Sequence, residues 1–345
     1  MALSSLASPG TRKSSDVIVI GAGVIGLATA FELQRRGLGV TVLERGKVGR
    51  GGASWAGGGI LAPLDPADTH PQVRALIRDS LACYPDWCAA IHAAGGIDPE
   101  YQVCGMQVRP PLVVEHWAQL GRECGFRSAP SHEMAGALEC PDVAQVRSPR
   151  LLKSLASALR AGGAQILEGQ SVTDIRGDAY GHTLSTALGD RYSCVVVVVC
   201  AGAWSAALTP MASLKPVKGQ MLLIDARPGE LDRIVLGAGR YLIPRRDGPI
   251  LAGSTVEEVG FDSAPSEVAK TSILTSAEML MPALAGRPVL AHWTGLRPCL
   301  PQGIPRIEWL DTRPGVLLNL GHHRLGITLA PASAVIAADL VLANG

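Results

Sequence analysis

Apolar residues are grouped along the chain with spacings that change from segment to segment. Residues 16–20, DVIVI, form a β-branched run without alternation, as expected of a strand buried on both faces of a parallel sheet. In VIGLATAFELQRRG the apolar positions recur at helical spacing and stop at Gly37, a suitable C-cap, and GVTVLER (39–45) reads as a second strand. Together they make one βαβ unit. From Gly49 to Leu61, GRGGASWAGGGIL is too rich in glycine for regular structure and reads as a loop lying against something flat or phosphorylated. The pattern next predicts a helix over about 72–94, a strand at VCGMQVRP (103–110), and short helices and turns over 111–144. SPRLLKSLASALRAGGAQI (148–166) predicts a helix capped by Ser148, with Pro149 in its first turn and Gly162 at its end.

Strands follow around QILEGQSVTDI, HTLSTAL and YSCVVVVVC. After Trp204, the segments PVKGQMLLID, IVLG, RYLIPRRDG and PILAGST read as an antiparallel meander, and 266–284 as a helix. The chain closes with a strand, a glycine loop and a helix in GVLLNLGHHRLGITLAPASAVIAADLVLANG. The architecture this predicts is α/β: a doubly wound nucleotide-binding domain assembled from residues 16–80, 145–212 and 295–345. A second, antiparallel α+β domain is inserted as 81–144 and 213–294. Residues 1–15 read as a disordered tail, without the apolar core of a signal peptide.

Composition narrows the function. Of 345 residues, 47% are hydrophobic and 4% aromatic, so aliphatic side chains and alanine must fill the core. Lys and Arg number 31 against 30 Asp and Glu, which gives no basic footprint for a nucleic acid. The longest apolar run noted, CVVVVVCAGAW (194–204), is too short to span a membrane. The eight cysteines lack metal-ligand spacing, so no metal is expected, and they suit reduced thiols in a cytoplasmic protein.

The chemistry starts at GAGVIG. Gly21 permits the tight turn, Gly23 lets backbone approach a pyrophosphate, and Gly26 lets helix pack on strand. Glu44 lies about 20 residues further on, where a carboxylate receives ribose hydroxyls. An acid there argues against a ribose 2′-phosphate and leaves NAD and FAD open. ASWAGGGI favours an extended cofactor, because Trp55 and Ile60 make the run too apolar for a surface linker.

With GAGVIG…ERG, ASWAGGGI, CAGAWS, PVKGQM, YLIPR, GLRP and GHHRLGITLAP in this order, the chain from about residue 16 resembles the FAD-dependent D-amino-acid oxidase family. It looks most like the glycine oxidase branch, which serves thiazole formation in thiamine biosynthesis. The resemblance implies a Rossmann-type FAD-binding domain. Val24 and Ile25 would meet the pyrophosphate, and Glu44 and Arg45 the adenosine ribose. Ala53, Ser54, Gly58, Gly59 and Ile60 would run along the cofactor, Val172 would meet adenine, and Ala201, Gly202 and Trp204 the cofactor's middle. His322, His323, Arg324, Leu325, Gly326, Ile327 and Thr328 would wrap the flavin edge. The helix beginning near Ile327 also aims its N-terminal dipole there.

For substrate the resemblance points to Arg297 of GLRP as a carboxylate clamp, with Tyr241 and Arg324 as further contacts. It implies oxidation of glycine or another small amino or N-methyl amine acid by hydride transfer from Cα to flavin N5. Imine and hydrogen peroxide would result, with molecular oxygen as acceptor. Neither histidine is needed as a base, because positioning Cα carries the reaction. Cys299 is offset from the position at which sarcosine oxidases attach flavin, which implies non-covalent FAD. A dehydrogenase using another acceptor, a flavin-carrying subunit of a larger oxidase and an NAD dehydrogenase are the competing readings. Relatives of this kind are often homo-oligomers.

Overall fold

The computed structural model describes residues 13–64, 69–112, 114–178, 180–237 and 239–343. The expected tail lies outside the described residues as far as residue 12, and from Lys13 the chain is already strand. Lys13–Ile20 sits at the centre of an eight-stranded sheet, parallel to Val40–Glu44 on one side and Arg191–Val199 on the other. Gln165–Glu168 extends it in parallel beyond Val40–Glu44, and Val316–Leu320 pairs in parallel with the end of Arg191–Val199. Antiparallel strands Val172–Asp178, Gly181–Thr186 and Arg306–Trp309 finish it.

Successive side chains on a strand point to opposite faces, and the first strand shows it. Val17 and Val19 join one buried cluster with helix residues such as Leu27, Phe31 and Leu155. Ile18 and Ile20 join another with Leu184, Val197 and Leu318. Complete burial of each is worth about 1.5–3 kcal/mol, which is why the run shows no alternation.

Seven α-helices occur among the described residues: α1 Val24–Arg35, α2 Ala53–Ala56, α3 Pro71–Gly95, α4 Val114–Cys124, α5 Ser148–Ala161, α6 Glu267–Leu280 and α7 Gly326–Ala343. Helices α1, α3, α5 and α7 pack on one another over the valine face. The closing helix expected at the end of the chain is α7, and this packing accounts for its apolar length, which exceeds that of the run at 194–204. His323–Ala343 is long and apolar enough to cross a membrane, yet 56% of its apolar window is buried inside the fold.

The second sheet runs in the order Val289–Cys299, Lys215–Ile224, Ile250–Gly253, Arg240–Pro244, Ile234–Gly237, Met106–Val108, Leu138–Cys140, Ala129–Pro130. Three strands of the expected meander, Ile234–Gly237, Arg240–Pro244 and Ile250–Gly253, are paired antiparallel in turn, and the fourth is displaced. Lys215–Ile224 neighbours Ile250–Gly253 and Val289–Cys299, not Ile234–Gly237, because the intervening 225–233 is too long for a hairpin turn. Val289–Cys299 was not foreseen as a strand, and it runs unbroken through residue 295. VCGMQVRP is two strands: Gly105 turns at φ 75°, sending Gln102–Val103 to a small third sheet and Met106–Val108 to the second.

Two further expectations change. The 49–61 loop contains α2 and the strand Ile60–Leu61, since ASWA between glycines has room for one helical turn. Ser148 does not cap α5: the N-cap is Arg147, without a side-chain bond, and the Ser148 hydroxyl donates to the carbonyl of Gly57 at 2.6 Å.

Candidate active site

At the carboxyl end of Lys13–Ile20 the chain turns through Gly21, at φ 105°, into α1. A Cβ on Gly21 would lie 2.5 Å from the Cys200 carbonyl oxygen, and one on Gly26 would lie 1.9 Å from that of Gly21. Gly26 therefore sits behind the loop and lets helix meet strand. The N-cap, Gly23, leaves the helix start without a side-chain cap, so its N–H groups and positive dipole end suit an anion. Ser54 on α2 accepts from the Val24 N–H at 3.0 Å and joins the two loops. The Glu44 carboxylate accepts from the N–H of Ala22 at 2.7 Å and of Gly46 at 2.8 Å, one on each oxygen. Each oxygen keeps acceptor capacity for a ribose hydroxyl.

Three distant side chains grip the carbonyls of the following loop. Trp293 Nε1 donates to Ala56 at 3.1 Å, Ser148 to Gly57 at 2.6 Å and Arg245 Nη2 to Gly58 at 2.7 Å. Arg245 also donates to Gln145 Oε1 at 2.7 Å, and burial pulls its guanidinium down to about 10. A Cβ on Gly58 would strike Ile243 Cδ1 at 2.6 Å, and one on Gly59 the Val146 carbonyl at 2.0 Å. The loop is thus rigid bare backbone rather than slack.

These groups wall a cavity of about 580 Å³, within the range of cofactor sites. Gly21, Gly23, Val24, Ile25, Glu44 and Arg45 line it, as do Ala53, Ser54, Gly58, Gly59 and Ile60. So do Val172, Ala201, Gly202 and Trp204. Arg45 stacks over the Trp204 ring at 3.4 Å from its centroid, and burial lowers its pKa. Gln170, not foreseen, is also in the wall, and its Oε1 is buried without a partner among the described residues. Its one signal in the sequence was its place beside Val172.

The other end is made by the second sheet and the start of α7. Tyr241, Arg297, His322, His323, Arg324, Gly326 and Ile327 all reach the wall. Leu325 and Thr328, like Gly26, do not. Leu325 packs against the second sheet's core, and the Thr328 hydroxyl donates to the Ile60 carbonyl at 3.1 Å.

Arg297 lies on Val289–Cys299 opposite Val217, and Gly219 makes room for it: a Cβ there would lie 2.0 Å from Nη2. Its Nη1 donates to the carbonyls of Thr255 at 3.1 Å and Lys218 at 3.3 Å, and Nη2 to Ser254 Oγ at 2.9 Å. These bonds use three of its five N–H donors and leave, among the described residues, one on Nη2 and the one on Nε, the two atoms whose shared edge can take a carboxylate bidentately. Among the described residues neither Arg297 nor Arg324 has a carboxylate partner. Burial lowers the Arg297 pKa, Tyr241 opposes that and Arg324 adds to it. The Tyr241 hydroxyl, in a residue 5% exposed, has, among the described residues, only the Met221 sulfur, at 3.8 Å.

The two histidines differ. His322 is buried with Nε2 3.0 Å from Ser333 Oγ, and burial pushes its pKa down to about 3. His323 is pushed to about 4, by burial and then by Arg297 and Arg324. Both are neutral near pH 7 and too weakly basic to serve as general bases there.

A parallel-stranded sheet with a glycine turn at its carboxyl edge, and a cavity ending in two guanidinium groups, are the features of a dinucleotide-binding protein whose far end suits an anionic group. Known proteins narrow this. Residues 16–340 match the family described as FAD dependent oxidoreductase. The chain is 41% identical to glycine oxidase of Pseudomonas aeruginosa, over 95% of each chain. It is 30% identical to the bifunctional protein ThiO/ThiG of a Nostoc species, over 95% of this chain and 52% of that protein. The crystal structure of glycine oxidase from Geobacillus kaustophilus matches with a TM-score of 0.87 at 29% identity, over 96% of this chain and 95% of that one. The chain belongs to this D-amino-acid oxidase family of FAD-dependent oxidoreductases, and it is an FAD-dependent amino acid oxidase. Its residues fit FAD: the remaining N–H groups at the α1 start suit pyrophosphate, Gly58 and Gly59 leave no side chain in the way, and Gln170 Oε1 suits an adenine amino group.

Proposed function

We propose that the protein oxidises glycine, or another small amino or N-methyl amine acid, with FAD held non-covalently. The observation that carries this reading is the pair of donors left on Nε and Nη2 of Arg297, which forms no ion pair with a described carboxylate. A substrate carboxylate would take that edge bidentately, and the Tyr241 hydroxyl would donate to it. Bound FAD would supply the two-electron acceptor for the hydride lost from Cα, and dioxygen, reduced to hydrogen peroxide, would be the terminal acceptor.

The chain's own residues do the rest by positioning. Arg297 and Tyr241 fix one end of the substrate, so Cα has one place to lie. Arg324, a cation on the same wall as Arg297, disfavours a second positive charge beside it, which favours the substrate amine in its neutral form. The N-terminus of α7, reaching the wall at Gly326 and Ile327, favours negative charge arising beside it. Cys299 is outside the wall and its thiol donates to the Leu300 carbonyl at 3.5 Å, which supports non-covalent binding.

In this reading the first sheet and its helices carry the cofactor and the second sheet presents the substrate groups. A product imine hydrolysing to glyoxylate, or serving thiazole synthesis in thiamine formation, follows from the likeness to the glycine oxidases. No cysteine joins a disulfide, which supports a cytoplasmic setting. Aerobic turnover with glycine tests the proposal: peroxide should appear in step with glyoxylate. Dye reduction without peroxide would mark a dehydrogenase and overturn the oxidase reading.

A further inference from the structure

Arg297 rests on an irregular piece of sheet. Met221 pairs with Gly253 and Lys218 with Glu257, so three residues, 254–256, face two, 219 and 220. This bulge turns the Thr255 carbonyl and the Ser254 hydroxyl toward the guanidinium. The Lys218 carbonyl accepts from both Glu257 N–H, at 2.9 Å, and Arg297 Nη1, at 3.3 Å.

The bulge is closed by polar side chains that no step above uses, Lys218, Gln220 and Thr255 buried and Glu257 half-buried. Lys218, 3% exposed, places Nζ 3.3 Å from Glu257 Oε2 and 3.0 Å from Asp262. Gln220, fully buried, donates to Glu257 Oε1 at 2.9 Å, and the Thr255 hydroxyl donates to the same oxygen. Thr255 Oγ1 in turn accepts from the Gln220 N–H at 2.9 Å. Burying the Lys218 ammonium beside a site is costly unless it is fully paired, and here it is.

We propose that Lys218 and Glu257 are positioning residues for Arg297: their ion pair locks the bulge at 254–257, which holds the guanidinium with its Nε–Nη2 edge toward the substrate carboxylate. The pair acts through Arg297 and does not touch substrate. This rests on Arg297 being the clamp, so the test measures that separately.

The experiment uses the FAD-loaded enzyme, with acetate as the probe. Acetate has the carboxylate and no amine, and its binding is read from the flavin spectrum. Lys218→Met should weaken acetate binding and raise the glycine KM together, roughly tenfold, with kcat falling less and flavin content unchanged. Lys218→Arg, which keeps the charge, should stay within about threefold of the parent. Should Lys218→Met not fold, Asp262→Asn, at a more exposed partner, should shift acetate affinity the same way by about twofold. Arg297→Ala is measured alongside. Loss of acetate binding in Arg297→Ala with none in the folded Lys218 or Asp262 variant overturns the positioning role alone. Equal falls in kcat and flavin content with acetate affinity intact would also overturn it. Unchanged binding in Arg297→Ala overturns the clamp itself.

Discussion

The two ends of the cavity are built on opposite principles. At the α1 end the ligand-facing groups are mostly backbone, supplied by Gly21, Gly23 and the 57–59 loop within a few dozen residues of one another. At the other end they are side chains: Tyr241, Arg297 and Arg324, brought together from separate elements. A backbone site depends on the absence of side chains, whereas a side-chain site depends on what holds each one. The first end should therefore fail through added bulk and the second through lost partners.

The largest effect is expected from bulk. In Gly26→Ala the new Cβ would lie 1.9 Å from the Gly21 carbonyl oxygen, against backbone that cannot yield. That costs about 3 kcal/mol or more, and the purified chain should carry little or no flavin by absorbance. At the far end, Arg297→Ala should keep its flavin while the glycine KM rises about a hundredfold, close to 3 kcal/mol. Flavin loss in this variant would show that the two ends are not separable.

Arg245 sharpens the comparison because it belongs to both. Arg245→Met leaves the Gly58 carbonyl and Gln145 Oε1 without their donor, costing about 2 kcal/mol and loosening flavin. Thermal unfolding and flavin retention should fall together.

Acid tests the α7 start. His322 has a folded pKa near 3 against an ordinary 6.5, so between those values the unfolded chain binds the extra proton. Its contribution is complete above about pH 6.5 and is lost as pH falls toward 3. His322→Asn should flatten the decline of Tm between pH 6.5 and 4, relative to the parent. An identical decline in both proteins would contradict this assignment. Smallest is Tyr241→Phe, which removes one neutral donor: about 1 kcal/mol, or roughly fivefold in KM.

The same contrast explains what could be read in the chain beforehand. GAGVIG, Glu44 and the apolar run 16–20 are local patterns, and the structure brings them together as a βαβ unit. Arg297 and Tyr241 stood out only through a family likeness, since the pairing of Lys215–Ile224 with Val289–Cys299 depends on contacts far apart in sequence. Arg245 gave no signal and Ser148 signalled a different role, as a helix cap, because each works on a carbonyl some 90 to 190 residues away. Leu325 and Thr328 looked like their neighbours in HHRLGIT, yet the turn at His323–Leu325 and the start of α7 point them into the core.

The central claim is that the side-chain end selects its substrate by the carboxylate. Anaerobic bleaching of the flavin by glycine, against glycinamide at the same concentration, tests it most directly. Glycinamide keeps the amine and Cα and lacks the carboxylate. Glycine should bleach the flavin and glycinamide should leave it oxidised over the same time; equal rates of bleaching would contradict the account.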